Sequence, residues 1–204
     1  ISFYPLVEAF PLYMAATLLN TPSGDSEPQR SVRDWLIRNM AVERTHARWW
    51  QDWAAAHRID KSVFAERIEV PAAVAALQSY LIDRARCGSV AEGLAAVNYA
   101  VEGPTGQWAR SVASAGRRVY TALDHSARAR RWLDAHAHYD DHHPQEALVL
   151  IARCANSGSE RTAVRAAIET ALDLYASALD SCLSLEGADR YTHWIANSPV
   201  YAVD

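Results

Sequence analysis

Leu133, His136, Asp140, His143, Ala147, Leu150 and Cys154 recur at helical spacing, apolar at both ends with His, Asp and His in the middle. At about 100° per residue, positions 136, 140 and 143 fall within about 60° of one another. All three side chains therefore point into the core if the segment is one helix. A buried His/Asp/His set is costly unless every polar atom finds a partner, so such a stripe demands a cation or a dense hydrogen-bond network. Around it, HAHYDDHHP (136–144) concentrates four of the chain's eight histidines beside two aspartates. The other register, Asp134, His138, Asp141 and Gln145, reads as solvent face, and His142 goes with it. Taken alone, the cluster also fits a solvated, histidine-rich helix surface.

The rest of the chain reads as helix. Ala, Leu, Arg and Glu dominate, and β-branched runs of alternating polarity are absent. Helices are expected at about 3–19, 29–57, 71–86, 89–121, 126–155 and 159–184, followed by a short irregular tail. TPSGDSEP (21–28) is a loop, Pro71 suits a first helical position, Gly88 ends one helix, and Ser89 and Ser159 cap the next two. Pro104 and Pro144 fall inside helical patterns, where proline kinks or opens the helix. The expectation is an all-α bundle of six to seven helices forming a single domain over residues 1–204.

Bulk properties narrow the function. A net charge of −4 argues against nucleic acid as the main partner. Lys61 is the only lysine among twenty basic residues. No apolar run reaches the roughly 18 residues that span a bilayer. Cys87, Cys154 and Cys182 are scattered and odd in number, so neither a disulfide framework nor a zinc ribbon is expected, and a reducing cytoplasm is. The chain begins at Ile1 rather than Met, which leaves room for residues upstream.

Two further segments share the ionisable-in-stripe pattern. In NMAVERTHARWWQDW (39–53), Leu36, Met40, Glu43, Ala47, Trp50 and Ala54 form a stripe that Glu43 interrupts. His46 lies three residues on, a neighbour on the same helix face. In NYAVEGPTGQW (98–108), Ala95, Asn98, Glu102, Thr105, Ala109 and Val112 form a stripe of small and polar residues, thinned by Gly103 and Gly106. A structural Glu–Arg pair is the simpler account of Glu102. Together the segments present Glu43, His46, Glu102, His136, Asp140 and His143. Three carboxylates against two divalent cations leave a charge of about +1, and three N with three O ligands suit iron and dioxygen, with manganese allowed by ligand type. Trp50, Tyr99, Thr105 and Tyr139 are expected to line a substrate pocket, backed by Trp49, Trp53 and Trp108. Arg44, Arg48 and Arg110 lie near enough in sequence to meet a substrate carboxylate.

The order Glu-x2-His, Glu-Gly-x-Thr-Gly, His-x3-Asp-x2-His-Pro resembles that of the heme-oxygenase-like diiron oxidases and oxygenases, relatives of the TenA and PqqC proteins, over roughly residues 30 to 155. The resemblance implies a heme-oxygenase-like bundle of about seven helices. It also implies two Fe ions (Fe2+/Fe3+) that activate O2 on a small metabolite derived from an amino acid or a fatty acid. By that analogy Glu43, His46 and His136 hold one iron and Glu102, Asp140 and His143 a second, weaker one on a mobile helix. An external electron donor and a homodimer are compatible with it. The TenA thiaminase branch uses a catalytic cysteine, and none of the three here stands in a recognisable version of that site. A branch that consumes its own tyrosine and lysine is disfavoured by the position of Lys61, and heme degradation by the lack of an N-terminal heme-ligand histidine. Three rivals remain: a metal-free TenA/PqqC-like enzyme or binding protein, a ferritin-like diiron bundle using Glu8 in place of His136, and a non-catalytic interaction module.

Overall fold

The stripes fold as helices, but three of the expected long helices are each broken in two. A computed structural model of the chain describes residues 1–24, 26–119, 126–138 and 142–187, and among these every regular element is helical. In order they are α1 (Tyr4–Asn20), α2 (Glu27–Glu43), α3 (His46–Ala56), a 3-10 turn (Lys61–Phe64), α4 (Ala72–Cys87), α5 (Val90–Leu94), a π turn (Ala95–Tyr99), α6 (Glu102–Val119), α7 (Ala127–His138), α8 (His143–Cys154) and α9 (Gly158–Gly187). None of the described helices is long and apolar enough to cross a membrane.

Each break has a local cause. Between α2 and α3 the Thr45 hydroxyl donates back to Val42 O at 2.8 Å, competing with the helix ladder. The Thr45 amide likewise turns to the same carbonyl at 3.0 Å. Before α6, Pro104 has no N–H for the carbonyl of Ala100, and its ring would crowd that group. The chain widens just upstream into the π turn, closed by Ala100 N to Ala95 O at 3.0 Å. Pro144 is the second residue of α8, where a missing N–H costs nothing. Both prolines thus sit in the first turns of new helices rather than kinking old ones. Cap positions shift as well. Ser89 and Glu92 form the reciprocal capping box of α5, whereas α9 is capped by Ser157 with Glu160, two residues before the expected Ser159.

The π turn and α5 occupy the centre. The turn packs against α1, α4, α6, α8 and α9, and its Ala95, Ala96 and Val97 are fully buried. Around it α1 runs against α4, α4 against α9, and α7 against both α3 and α6. The close approach of α5 to α1 depends on Gly93, where a Cβ would stand 2.9 Å from Thr17 Oγ1. Gly103 has no such role: a Cβ there meets nothing within 4 Å.

Candidate metal centre

The three breaks meet in one place. Glu43 is the last residue of α2 and His46 the first of α3, so the pair straddles a bend instead of sharing one helix. Glu102 opens α6 directly after the π turn, and His143 opens α8. His136 lies in the last turn of α7. Ending or starting a helix at a ligand turns its side chain inward without the rest of the helix having to follow. A carboxylate in the first turn of α6 is also stabilised by the helix dipole.

The donors converge. Ligand atoms of Glu43, Glu102 and His143 all lie within 4.8 Å of one another. His46 Nδ1 approaches Glu43 Oε2 at 2.7 Å, the His46 and His136 ring centroids are 4.5 Å apart, and His143 Nδ1 stands 3.4 Å from Glu102 Oε2. Glu43 therefore joins a His46/His136 half to a Glu102/His143 half. Glu43, His46, Glu102 and His136 are each at most 6% exposed.

Several of these atoms have neighbours but no hydrogen bond. His46 Nδ1, Glu102 Oε2 and His143 Nδ1 are buried and make none, although each histidine nitrogen stands beside a carboxylate. Each buried polar atom left in that condition costs about 1–3 kcal/mol. Other atoms of the same side chains are held. Asn98 Nδ2 donates to Glu102 Oε1 at 2.9 Å. His136 Nδ1 lies 2.7 Å from Trp132 O, and a carbonyl only accepts, so that nitrogen carries the hydrogen and the lone pair is on Nε2. Fixing a ligand's tautomer through a backbone carbonyl is how metal sites orient histidine.

Electrostatics favour a cation. Burial, aided by the neighbouring His46, drives the His136 imidazole down to about 3, so it is neutral at any ordinary pH. Burial pushes the Glu43 carboxyl up, but His46, His136 and His143 outweigh it and hold that group below its usual range. Burial, with Glu43 close by, pushes Glu102 up. Contact with Glu102 raises His143 against the opposing effect of burial. Buried carboxylate oxygens and neutral imidazole nitrogens with unmade bonds fit iron, manganese or zinc.

The expected residues divide as follows. Glu43, His46, Glu102, His136 and His143 come together. Asp140 and Tyr139, like Asp141, lie outside the described residues. His138 and His142 are exposed. Glu8, needed by a ferritin-like ligand set, is exposed and accepts from Tyr4 OH at 3.2 Å. A narrow cavity opens from the cluster, walled by Phe3, Leu6, Val7 and Phe10 of the N-terminal segment and by Val101, Thr105, Trp108 and Trp132. Thr105 lines it as expected; Trp50 and Tyr99 do not. Trp50 stands behind Trp132, edge-on at 4.7 Å, and Tyr99 packs half-buried against the core. Arg44, Arg48 and Arg110 are likewise absent from the lining.

Sequence reasoning missed the wall supplied by α1, whose apolar residues are indistinguishable from ordinary core. Tyr175 was missed too. Its hydroxyl accepts from Trp108 Nε1 at 2.8 Å and pairs with Thr105 Oγ1 at 2.7 Å, and Thr105 donates to Val101 O. Asn98 was visible as a polar residue one turn before Glu102 in its stripe, a usable sign of a supporting partner.

Among the described residues an all-helical fold gathers buried carboxylates and imidazoles, and the comparisons narrow the class. The chain belongs to a haem-oxygenase-like family described as iron-containing redox enzymes, whose model matches residues 1–176. A TenA homologue from Pseudomonas syringae is similar at 34% identity and a TM-score of 0.78, over 89% of this chain and 75% of that one. A heme-oxygenase-like domain of unknown function from Shewanella denitrificans shares the fold at 18% identity and a TM-score of 0.73, over 91% and 78% of the two chains. No curated protein matches the sequence.

Proposed function

We propose that the protein is a non-heme diiron oxidase or oxygenase that uses O2 to oxidise a small, largely apolar metabolite. The observation that carries this reading is the set of buried ligand atoms without hydrogen bonds, gathered at one end of an aromatic cavity. Membership of an iron-containing redox family supports it. Glu43, His46 and His136 would hold one iron; Glu102 and His143, with Asp140 as the remaining candidate, would hold the other. Bound iron would supply the redox chemistry with O2.

The chain's own residues do the rest. Asn98 keeps Glu102 Oε1 occupied and turns Oε2 toward the cluster. Trp132 O holds the His136 ring in one orientation. Phe3, Leu6, Phe10, Trp108 and Trp132 exclude water from the reacting end of the cavity. No Lys or Arg is among the lining residues, so a substrate's apolar part is the better match to these walls. Reconstitution with Fe(II) followed by O2 should give a transient visible absorption band, and O2 uptake should accelerate with apolar amino acids or fatty acids. A reconstituted protein that holds iron but never shows such a band removes the oxidase reading.

Similarity to a TenA homologue favours a second reading, a metal-free small-molecule enzyme. Against a thiol-based version, Cys87 is exposed, and neither it, Cys154 nor Cys182 lines the cavity. Elemental analysis of protein produced with ample iron separates the two readings.

A further inference from the structure

Among the described residues that line the cavity, Thr105 is the one outside the ligand candidates whose side chain can accept a hydrogen bond. Three short contacts run through its hydroxyl and the residues behind it. Trp108 Nε1 lies 2.8 Å from Tyr175 Oη, Tyr175 Oη 2.7 Å from Thr105 Oγ1, and Thr105 Oγ1 2.7 Å from Val101 O. Contacts this short each need one hydrogen between the heavy atoms. The set holds three: the Trp108 indole N–H, the Tyr175 phenol and the Thr105 hydroxyl. Val101 O only accepts, so the Thr105 hydrogen goes there; the indole only donates, so its hydrogen goes to Tyr175. The middle contact is left with the Tyr175 hydrogen, donated to Thr105. Burial pushes the Tyr175 phenol up, so it keeps that hydrogen at ordinary pH. Its ring is held as well, buried and edge-on to Phe3 at 5.7 Å.

A threonine oxygen accepts two hydrogen bonds and donates one. With its hydrogen committed to Val101 and one lone pair to Tyr175, Thr105 retains a single lone pair and no donor. Trp132, also in the wall, has the opposite deficit: its Nε1–H is buried with no acceptor. A buried indole N–H usually finds a partner, as that of Trp108 does in Tyr175. We propose that the substrate carries a neutral hydroxyl or amide whose hydrogen Thr105 accepts, and that Tyr175 is the positioning residue that fixes Thr105 as an acceptor. The oxygen of such a group is the kind of partner that Trp132 lacks. The inference rests on the oxidase reading in taking this cavity as its substrate site, and it narrows the substrate class. An ionised carboxylate brings no hydrogen to Thr105, and no Lys or Arg lines the wall to balance its charge. An ether suits Trp132 but leaves the Thr105 lone pair unmet.

Two isomers of equal size separate the donated hydrogen from everything else. Pentanol and butyl methyl ether each carry one oxygen, and the alcohol alone has a hydrogen to give. Titrated into metal-free protein and followed by tryptophan fluorescence, pentanol should bind about three- to tenfold more tightly, the worth of one hydrogen bond. Water holds the alcohol better than the ether, so transfer from water works against this order. In Thr105→Val, which keeps the shape of the side chain, the preference should disappear; one that came from Glu43 or Glu102 would survive. Tyr175→Phe leaves the Trp108 N–H as a new donor in the wall and should raise the affinity for the ether toward that for the alcohol. Were Tyr175 merely packing, that change would weaken both isomers alike. Equal binding by wild type, binding of neither isomer, a preference that survives Thr105→Val, or a parallel loss in Tyr175→Phe overturns the inference. If Thr105→Val does not fold, the wild-type and Tyr175→Phe comparisons still decide it. Failure to take up iron would count against the diiron reading instead, and the metal-free titrations would stand apart from it.

Discussion

Glu102 carries the conflict between stability and function most visibly, because burial and the nearby Glu43 push its carboxyl up while a metal would require it ionised. A group whose folded value is raised contributes stability that is present below its unfolded value near 4.5 and is lost as pH rises through the folded value. At neutral pH the metal-free protein therefore bears a cost there, which Glu102→Gln removes while still accepting from Asn98. The metal-free variant should melt higher than wild type at pH 7, with the difference closing as pH falls toward 4.5 and below. Thermal melts across pH check this, and a variant that melts lower at pH 7 would refute it. Asn98→Leu acts on the same carboxylate from outside. It should weaken metal binding about 10–100-fold with the fold intact, as loss of a partner behind a metal ligand generally does. Metal titration with a circular dichroism control measures both parts.

At the scale of elements, α8 is tied to α2 at both ends. Trp35 Nε1 donates to Glu146 Oε2 at 2.7 Å in the first turn of α8, and Arg153 Nη1 pairs with Glu27 Oε1 at 3.0 Å near its other end. Trp35 also meets the His143 ring edge-on at 6.4 Å. The first tie fixes where α8 starts, and hence where His143 points. Glu146→Ala should weaken the His143 half of the centre about tenfold, whereas Glu146→Gln keeps the acceptor and should stay near wild type in the same metal titration. Elsewhere, Asp52 of α3 takes a two-pronged contact from Arg128 of α7, at 3.0 and 3.2 Å, and a second bond from Lys61. Burial raises the Asp52 carboxyl, but those cations outweigh it and hold the group below 3.8. Its contribution is present above 3.8 and is lost as pH falls through the lower folded value. Asp52→Asn should cost about 0.5–1 kcal/mol near neutral pH and nothing in strong acid, as urea melts at the two conditions would show.

What was legible followed from periodicity. Stripes interrupted by Glu43, Glu102 and His136 marked inward-facing ionisable residues, and those three are buried. Pro104 and Pro144 marked two places where a helix kinks or opens, whereas the break at Thr45 was not legible, since its stripe runs on in uniform helical register. Thr45 and Pro104 carry the local chemistry of two breaks, but that chemistry decides the backbone only once neighbouring helices fix the alternatives. The cavity was legible in part. Thr105 stood out in a stripe of small residues, whereas Phe3, Leu6 and Phe10 come from an N-terminal segment distant in sequence, and long-range packing leaves no local mark.

For the molecule as a whole, the helix ends brought together at the centre impose a cost that a bound cation would offset. His46 Nδ1, Glu102 Oε2 and His143 Nδ1 are buried without hydrogen bonds, so on the diiron reading metal binding and folding would be coupled. Metal at about a hundred times its dissociation constant adds about 2.7 kcal/mol to stability. A chelator should accordingly lower the melting temperature by several degrees, and an unchanged melt would show that no metal holds these helices. The most direct test is an anaerobic Fe(II) titration of wild type, His136→Ala and His143→Ala, with iron counted per folded chain. The account predicts about two irons in wild type, with each variant losing the iron of its own half first. Iron content unchanged in both variants, or absent from all three proteins, would contradict it.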